Sequence, residues 1–496
     1  MTTLVGASGG LWMLLALGLL ITVTGLPVWA LLIGVASAFA GMGLTAGSID
    51  LSILVALPMR IVGLLEYDLL QALPLYVFVG VLLQHLTVAD RLFSSCERLF
   101  SCSGAGASLA ALGVGALIAP MNGSVASSSA LLARLVVPRL GRIKAAEATA
   151  LISVSATIGV VVPPSLVLIL LGDAMLRAHT EASNLPGFVL GSQRMINTRD
   201  VFNAALVPAL CVLVLWALVA WWRARAVRDE PAQRASAPPS GRQSLLSLLV
   251  VLTIVVLLGS VFAGKLYAVE AAATGCVLLV LGALVSRALS WTQWRLVLGD
   301  TLALSGALFA LLVGATTFSL IFRLLGTDRW IAELLLNSDW SPHATAALVL
   351  LAVALCAWVL DAFEMIFVVI PIVAPPLIAM LGDAQQTAVL LLLVLQLSFL
   401  IPPMGYAVLI ARSRAGLGAV AIAALLRALL PFVAVQCVVT ALVFLQPSLV
   451  HRLDATSPAL SETLPMSDQD IEQQMRDMAQ QVDPADAAPG RPKLAE

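Results

Sequence analysis

Charge is what this chain is shortest of. Only 11% of its 496 residues are Asp, Glu, Lys or Arg, against about 25% in soluble domains, which excludes an ordinary soluble protein. The net charge of −1 leaves no basic field to collect nucleic acid, so no nucleic-acid partner is expected. Cysteine is also sparse and shows no CxxC pairing: Cys96, Cys102, Cys211, Cys276, Cys356 and Cys437 are scattered through apolar runs. They read as small core residues, with a disulfide or metal role as the lesser alternative. The four histidines, His85, His179, His343 and His451, stand far apart, and HExxH, GxSxG and GxxxxGK[ST] are all missing. Without such a constellation the chain reads as no enzyme, with no cofactor and no transition metal. No alternating run of about ten residues recurs, so a membrane β-barrel is excluded too.

What the chain has is apolar length. Hydrophobic residues make up 60%, in repeated runs of the roughly 17–25 residues needed to cross a hydrocarbon core. The expected class is an all-α polytopic membrane protein embedded in the lipid bilayer. Leu11–Gly25 carries no preceding Lys/Arg cluster and reads as a retained helix, not a cleaved signal. The stretches 49–68 and 323–343 are mixed enough to lie at an interface. The Arg- and Pro-rich segment 223–243 reads as a cytoplasmic linker. It separates a first repeat, 1–222, from a second, 244–449. The acidic tail 450–496 reads as disordered.

Two of the apolar runs are broken in the same way. "ATIGVVVPPSLVLILLGD" carries Pro163-Pro164, and "LSFLIPPMGYAVLIAR" carries Pro402-Pro403. Placing one pair on the other gives an offset of 239, which also sets "PMNGS" (120–124) against "VLDAF" (359–363). Each half therefore has two breaks about 40 residues apart. Matched interruptions in a twofold hydropathy pattern are the mark of an internally repeated transporter. In lipid an unpaired backbone group costs several kcal/mol, so breaks survive only inside protein or beside a cavity. There, helix N-termini can hold a carboxylate, and freed carbonyls can hold a cation.

The residues beside the breaks suit a hard cation. "MNGSVASSS" (121–129) offers a glycine for close approach and small oxygens; the alternative for Ser127, Ser128 and Ser129 is close helix packing. Asp361 and Glu364 are acids inside an apolar segment, and such acids are functional by default. Arg412, which the offset pairs with Asp173, either attracts an anion or snorkels to the interface.

Over residues 1–449 these motifs resemble the large membrane subunit of tripartite ATP-independent periplasmic (TRAP) transporters. The resemblance lies in Gly123-Ser124 with Ser128, Gly159 with Pro163-Pro164-Ser165, Asp361 followed by "FVVIPIVAPP", and "SFLIPPMGY" with Gly405. "DAFEMIFVVIPIVAPP" with "LQLSFLIPPMGYA" is most similar to the branch labelled mannitol/chloroaromatic. The resemblance implies two inverted repeats with re-entrant hairpins and broken helices, working as an elevator in the bacterial inner membrane. It implies sodium-coupled uptake of a small organic acid delivered by a periplasmic binding protein, with a small TRAP membrane subunit completing the assembly. The implied sodium ligands are Gly123, Ser124 and Ser128 in one half, and Asp361, Phe363 and Glu364 in the other. The implied substrate and hairpin residues are Asn122, Gly159, Pro163, Pro164, Ser165, Pro402, Pro403, Gly405 and Arg412. Three places depart from the family pattern: Pro120-Met121-Asn122, Tyr267-Ala268-Val269 before Glu270, and Ile401, where a threonine is usual. The alternative function is a sodium- or proton-coupled carboxylate carrier of the same superfamily that needs no binding protein.

Overall fold

The computed structural model describes residues 8–453 apart from 67, 87, 101–104, 123, 140–143, 164, 186–195, 227–251, 254–255, 258, 262–264, 359, 403–404 and 416–419. Gly123, Pro164, Pro403, most of the expected linker and the tail beyond 453 therefore lie outside the described residues, as does the side chain of Asn122. Every regular element among the described residues is helical.

The first half opens with α1 (Gly9–Thr24), which stops at Gly25 in the left-handed conformation (φ 62°), where a glycine pays no Cβ penalty. After it come α2 (Val28–Thr45), the short exposed helices α3 (Leu51–Val55) and α4 (Leu57–Leu65), α5 (Asp68–His85) and α6 (Val88–Leu99). Asp50 caps α3 through Ser52 N–H at 3.0 Å. The mixed stretch expected at an interface is thus two short helices and not a span. α5 and α6 meet at 72°. Then come α7 (Gly106–Asn122), α8 (Val125–Val136), α9 (Ala145–Val161), α10 (Leu166–Ala182) and α11 (Thr198–Ala226). α11 corrects the expected start of the linker. Arg223 is helical, donates to the Ala428 carbonyl, and lies 3.8 Å from Glu147.

The second half holds α12 (Ala268–Val285), the long α13 (Trp291–Leu324), α14 (Thr327–Leu336), α15 (Pro342–Ala357), α16 (Ala362–Leu381), α17 (Ala384–Ser398), α18 (Tyr406–Ala415) and α19 (Ile422–Leu445). Their starts are chemically marked. Glu270 accepts the Tyr267 N–H at 2.9 Å, Ser290 and Gln293 form a capping box, and Asp383 accepts from Gln385 and Gln386. Five helices among the described residues are long and apolar enough to cross a membrane, and seven if each bent pair counts as one span.

Packing separates hairpins from broken spans. α7 and α8 fold back on each other, so that Val114–Ala119 of one faces Ser128–Leu132 of the other. α15 packs in the same way along α16, including its distal part beyond Ile370. The re-entrant hairpins are therefore α7–α8, with Ser124 at its turn, and α15–α16, with Trp358 and Asp361 at its turn. α9 and α10 continue past Pro163 with a bend of 43°. The first double-proline segment is thus a break inside a span and not a hairpin tip, which corrects the expectation for Pro163. α17 and α18 occupy the corresponding place in the second half.

Candidate transport site

Each hairpin tip is seated on the broken span of its own half. In the first half the contact is made by small residues. A Cβ on Gly159 would lie 2.4 Å from the Ala119 carbonyl carbon, and one on Gly115 would lie 2.4 Å from the Ser155 oxygen. Small residues one helical turn apart on both α7 and α9 let the backbones approach this closely. Beside the contact is a cavity of about 10 Å³ lined by Pro120, Ser124, Ser128 and Gly159 among others, the scale of a single water or monatomic ion. Ser124 has extended backbone (φ −133°, ψ 131°), and its hydroxyl makes no cap bond. Ser128 is buried and donates its N–H to the Ser124 carbonyl at 3.0 Å. Ser127 instead accepts from Gln84 at 3.1 Å, and the Ser129 hydroxyl is buried without a partner among the described residues.

In the second half the tip is polar. Asp361 leaves α15 extended and starts α16; its N–H donates to Glu364 Oε2 at 3.1 Å. Its own Oδ1 is buried with no partner among the described residues. One π-type turn, Met365–Val369, follows at once; such turns recur at functional sites because they realign the backbone. Trp358 Nε1–H donates to the Ile401 carbonyl at 2.8 Å and ties the tip to the second break. Phe363 is buried in the apolar core. Pro402 is buried in the turn, and Gly405 has room for no side chain, since a Cβ there would sit 2.7 Å from the Ile401 oxygen.

Two residues expected at the site have other partners. Ser165 accepts the Leu168 N–H at 3.2 Å and donates to the Val160 carbonyl at 3.4 Å, so it caps α10 across the break. Arg412 is half-buried and donates to the Val420 carbonyl at 3.3 Å. Pro163 is buried at the break itself.

The broken spans cross at a buried polar joint that the motifs did not reveal. Gln396 of α17 donates to the Thr157 carbonyl of α9 at 3.2 Å, between residues separated by the repeat offset of 239. Residues related by a twofold touch only beside its axis, so this contact places the pseudo-axis between α9 and α17. Gln436 of α19 donates to Gln396 Oε1 at 2.8 Å and to the Leu393 carbonyl at 3.3 Å. A lone amide in "LLLLVLQLS" was the available signal, because a polar group in a spanning segment needs a partner. Gln396→Leu is expected to destabilise the protein by about 1–2 kcal/mol, read as a lower unfolding temperature in detergent. It leaves Gln436 with one acceptor fewer.

Hairpins paired with broken spans, meeting at backbone-lined breaks, define the class: a polytopic membrane permease. Residues 14–449 match the family described as "Tripartite ATP-independent periplasmic transporter, DctM component". The chain belongs to that family, and it is accordingly a multi-pass protein of the bacterial inner membrane whose work is secondary transport of organic acids with a binding protein. It is similar to the sialic acid TRAP transporter large permease protein SiaM of Vibrio cholerae, 25% identical over 437 residues, covering 87% of this chain and 95% of that one. It is also similar to the C4-dicarboxylate TRAP transporter large permease protein DctM of Rhodobacter capsulatus, 23% identical, covering 69% of this chain and 77% of that one. Among solved structures, the YdaH transporter of Alcanivorax borkumensis shares the fold with a TM-score of 0.54 at 14% identity, over 85% of this chain and 96% of that one.

Proposed function

We propose that this chain takes up a small organic acid by sodium coupling and an elevator movement, receiving the acid from a periplasmic binding protein and working beside a small membrane subunit. The moving body is the pair of hairpins with the pair of broken spans, α7–α10 and α15–α18. The remaining long helices are the scaffold. The carrying observation is Asp361 Oδ1, a buried acceptor with no partner among the described residues, on a hairpin tip. A buried carboxylate oxygen left unpaired costs free energy that a bound cation offsets. Ser124 and Ser128, beside a cavity of about 10 Å³, supply the matching oxygens in the first half. The N-termini of α10 and α18, both opening at breaks, favour a substrate carboxylate. Relatives named for sialic acid and for C4-dicarboxylates support a small organic acid as the substrate.

The test is uptake into proteoliposomes holding this chain with its small subunit. Labelled C4-dicarboxylates, 2-oxo acids and sialic acid are offered with the purified binding protein. Uptake of at least one acid is expected only with an inward sodium gradient and only with the binding protein. Uptake driven by a proton gradient, or undiminished without the binding protein, overturns the proposal in favour of a self-sufficient carboxylate carrier.

A further inference from the structure

The two halves hold their hairpin tips by different physics. The first joint is backbone against backbone. Gly159 meets Ala119, and one turn away Gly115 meets the Ser155 carbonyl, both at distances a Cβ would violate. No side-chain rotation opens such a joint; whole helices have to part and lose a continuous packed seam. Under the 239-residue offset seen in the Gln396–Thr157 contact, the counterpart of Ala119 is Trp358. There the close backbone approach gives way to a large side chain, which adds one directional bond, indole N–H to the Ile401 carbonyl at 2.8 Å, to the packing of α15 on α17. Trp358 is half-buried and Ile401 is 36% exposed, so this bond sits at an edge where a turn of the indole breaks it. Three residues along the same tip stands Asp361 with its buried, unpartnered Oδ1.

We propose that Trp358 is a latch. As a positioning residue, it holds the second hairpin tip closed on the second broken span, and that tip, not the first, opens to admit solute to Asp361. The inference deepens the transport reading above and rests on Asp361 as the ion-site residue. It assigns the halves unequal roles: the first hairpin is a fixed wall and the second is the gate. The carbonyl of Ile401 is the latch's acceptor, so the bond depends on backbone and tolerates a change of the Ile401 side chain.

Hydrogen–deuterium exchange on the purified complex of this chain with its small subunit tests the latch. Amides of 358–365 and 399–405 are compared with those of 115–125 and 155–163, in wild type and in Trp358→Phe, which keeps an aromatic ring and removes the donor. In wild type the second tip is expected to exchange faster than the first. In Trp358→Phe the second tip alone is expected to speed up by about tenfold, the loss expected for one hydrogen bond. Equal exchange at the two wild-type tips, or no change at the second tip in Trp358→Phe, overturns the proposal. Uptake by the same wild-type complex is measured in parallel. Loss of sodium dependence there sinks the transport reading, while the exchange comparison still decides the latch.

Discussion

Asp361→Ala is expected to abolish uptake, by about 100-fold or more, while leaving the amount of protein in the membrane unchanged and its unfolding temperature equal or higher. The two halves of that outcome have one cause. In the protein without ligand, Asp361 Oδ1 is buried and lacks a partner among the described residues. Such an acceptor is a burden on folding, and deleting it offsets the loss of the carboxylate's cap on α16. On the proposed reading, the same carboxylate faces a cation in the loaded protein. Removing one partner of a buried charge pair costs about 2–5 kcal/mol, and each 1.4 kcal/mol is tenfold in affinity. Transport with quantified membrane levels, read together with thermal unfolding in detergent, separates this from misfolding. Normal uptake by Asp361→Ala removes the residue from the site.

Its neighbour makes the comparison informative. Glu364 Oε2 already accepts the Asp361 N–H at 3.1 Å, the reciprocal half of a capping box. Glu364→Gln keeps an oxygen for that bond, so a role confined to capping predicts near-normal uptake. A loss as deep as that of Asp361→Ala instead puts both carboxylates on the ion. The two acids look alike in "LDAFEM", and only the hydrogen bond distinguishes them.

Much of the architecture was legible in the residues. Low charge and long apolar runs indicated a helical membrane protein, and paired interruptions indicated an internal repeat. The family resemblance, drawn over 1–449, agrees with the match over 14–449. Which break is a hairpin was not legible. Two prolines stop the hydrogen-bond ladder, but they leave the angle between the flanking helices undetermined. That angle is set by what the helices pack against. Beyond Pro163, α10 packs against α11 and the distal part of α16, and the chain bends there by only 43°. α7 and α8 fold back on each other with no proline between them, because α8 is drawn against α7 and α9. The partners of Gln396, Gln436 and Trp358 were not legible for another reason. They are backbone carbonyls or amides distant in the chain, and motif spacing carries no record of such contacts. Ser165 shows the converse. A serine after a double proline reads as a ligand, but it is used as the N-cap of α10.

Gly159→Ala is expected to lower stability by about 1–3 kcal/mol, the range for overpacking a well-filled interior, and to reduce uptake at least tenfold. Its Cβ would stand 2.4 Å from the Ala119 carbonyl carbon, 2.6 Å from the Ala119 oxygen and 2.6 Å from the Ala119 Cβ. Two of those three atoms are backbone, so the first hairpin has to shift, and with it the cavity at Ser124 and Ser128. Gly34→Ala is the control: nothing lies within 4 Å of that position, which is exposed, and alanine is the better helix former by about 1 kcal/mol. Thermal unfolding of both variants, with uptake, checks the pair. Adding Ala119→Gly to Gly159→Ala decides which atoms matter. It removes only the Cβ contact, so recovery should be slight if the backbone of α7 is what the glycine accommodates. Full recovery would make the joint a side-chain fit, and the first hairpin would then be as free to part from its span as the second.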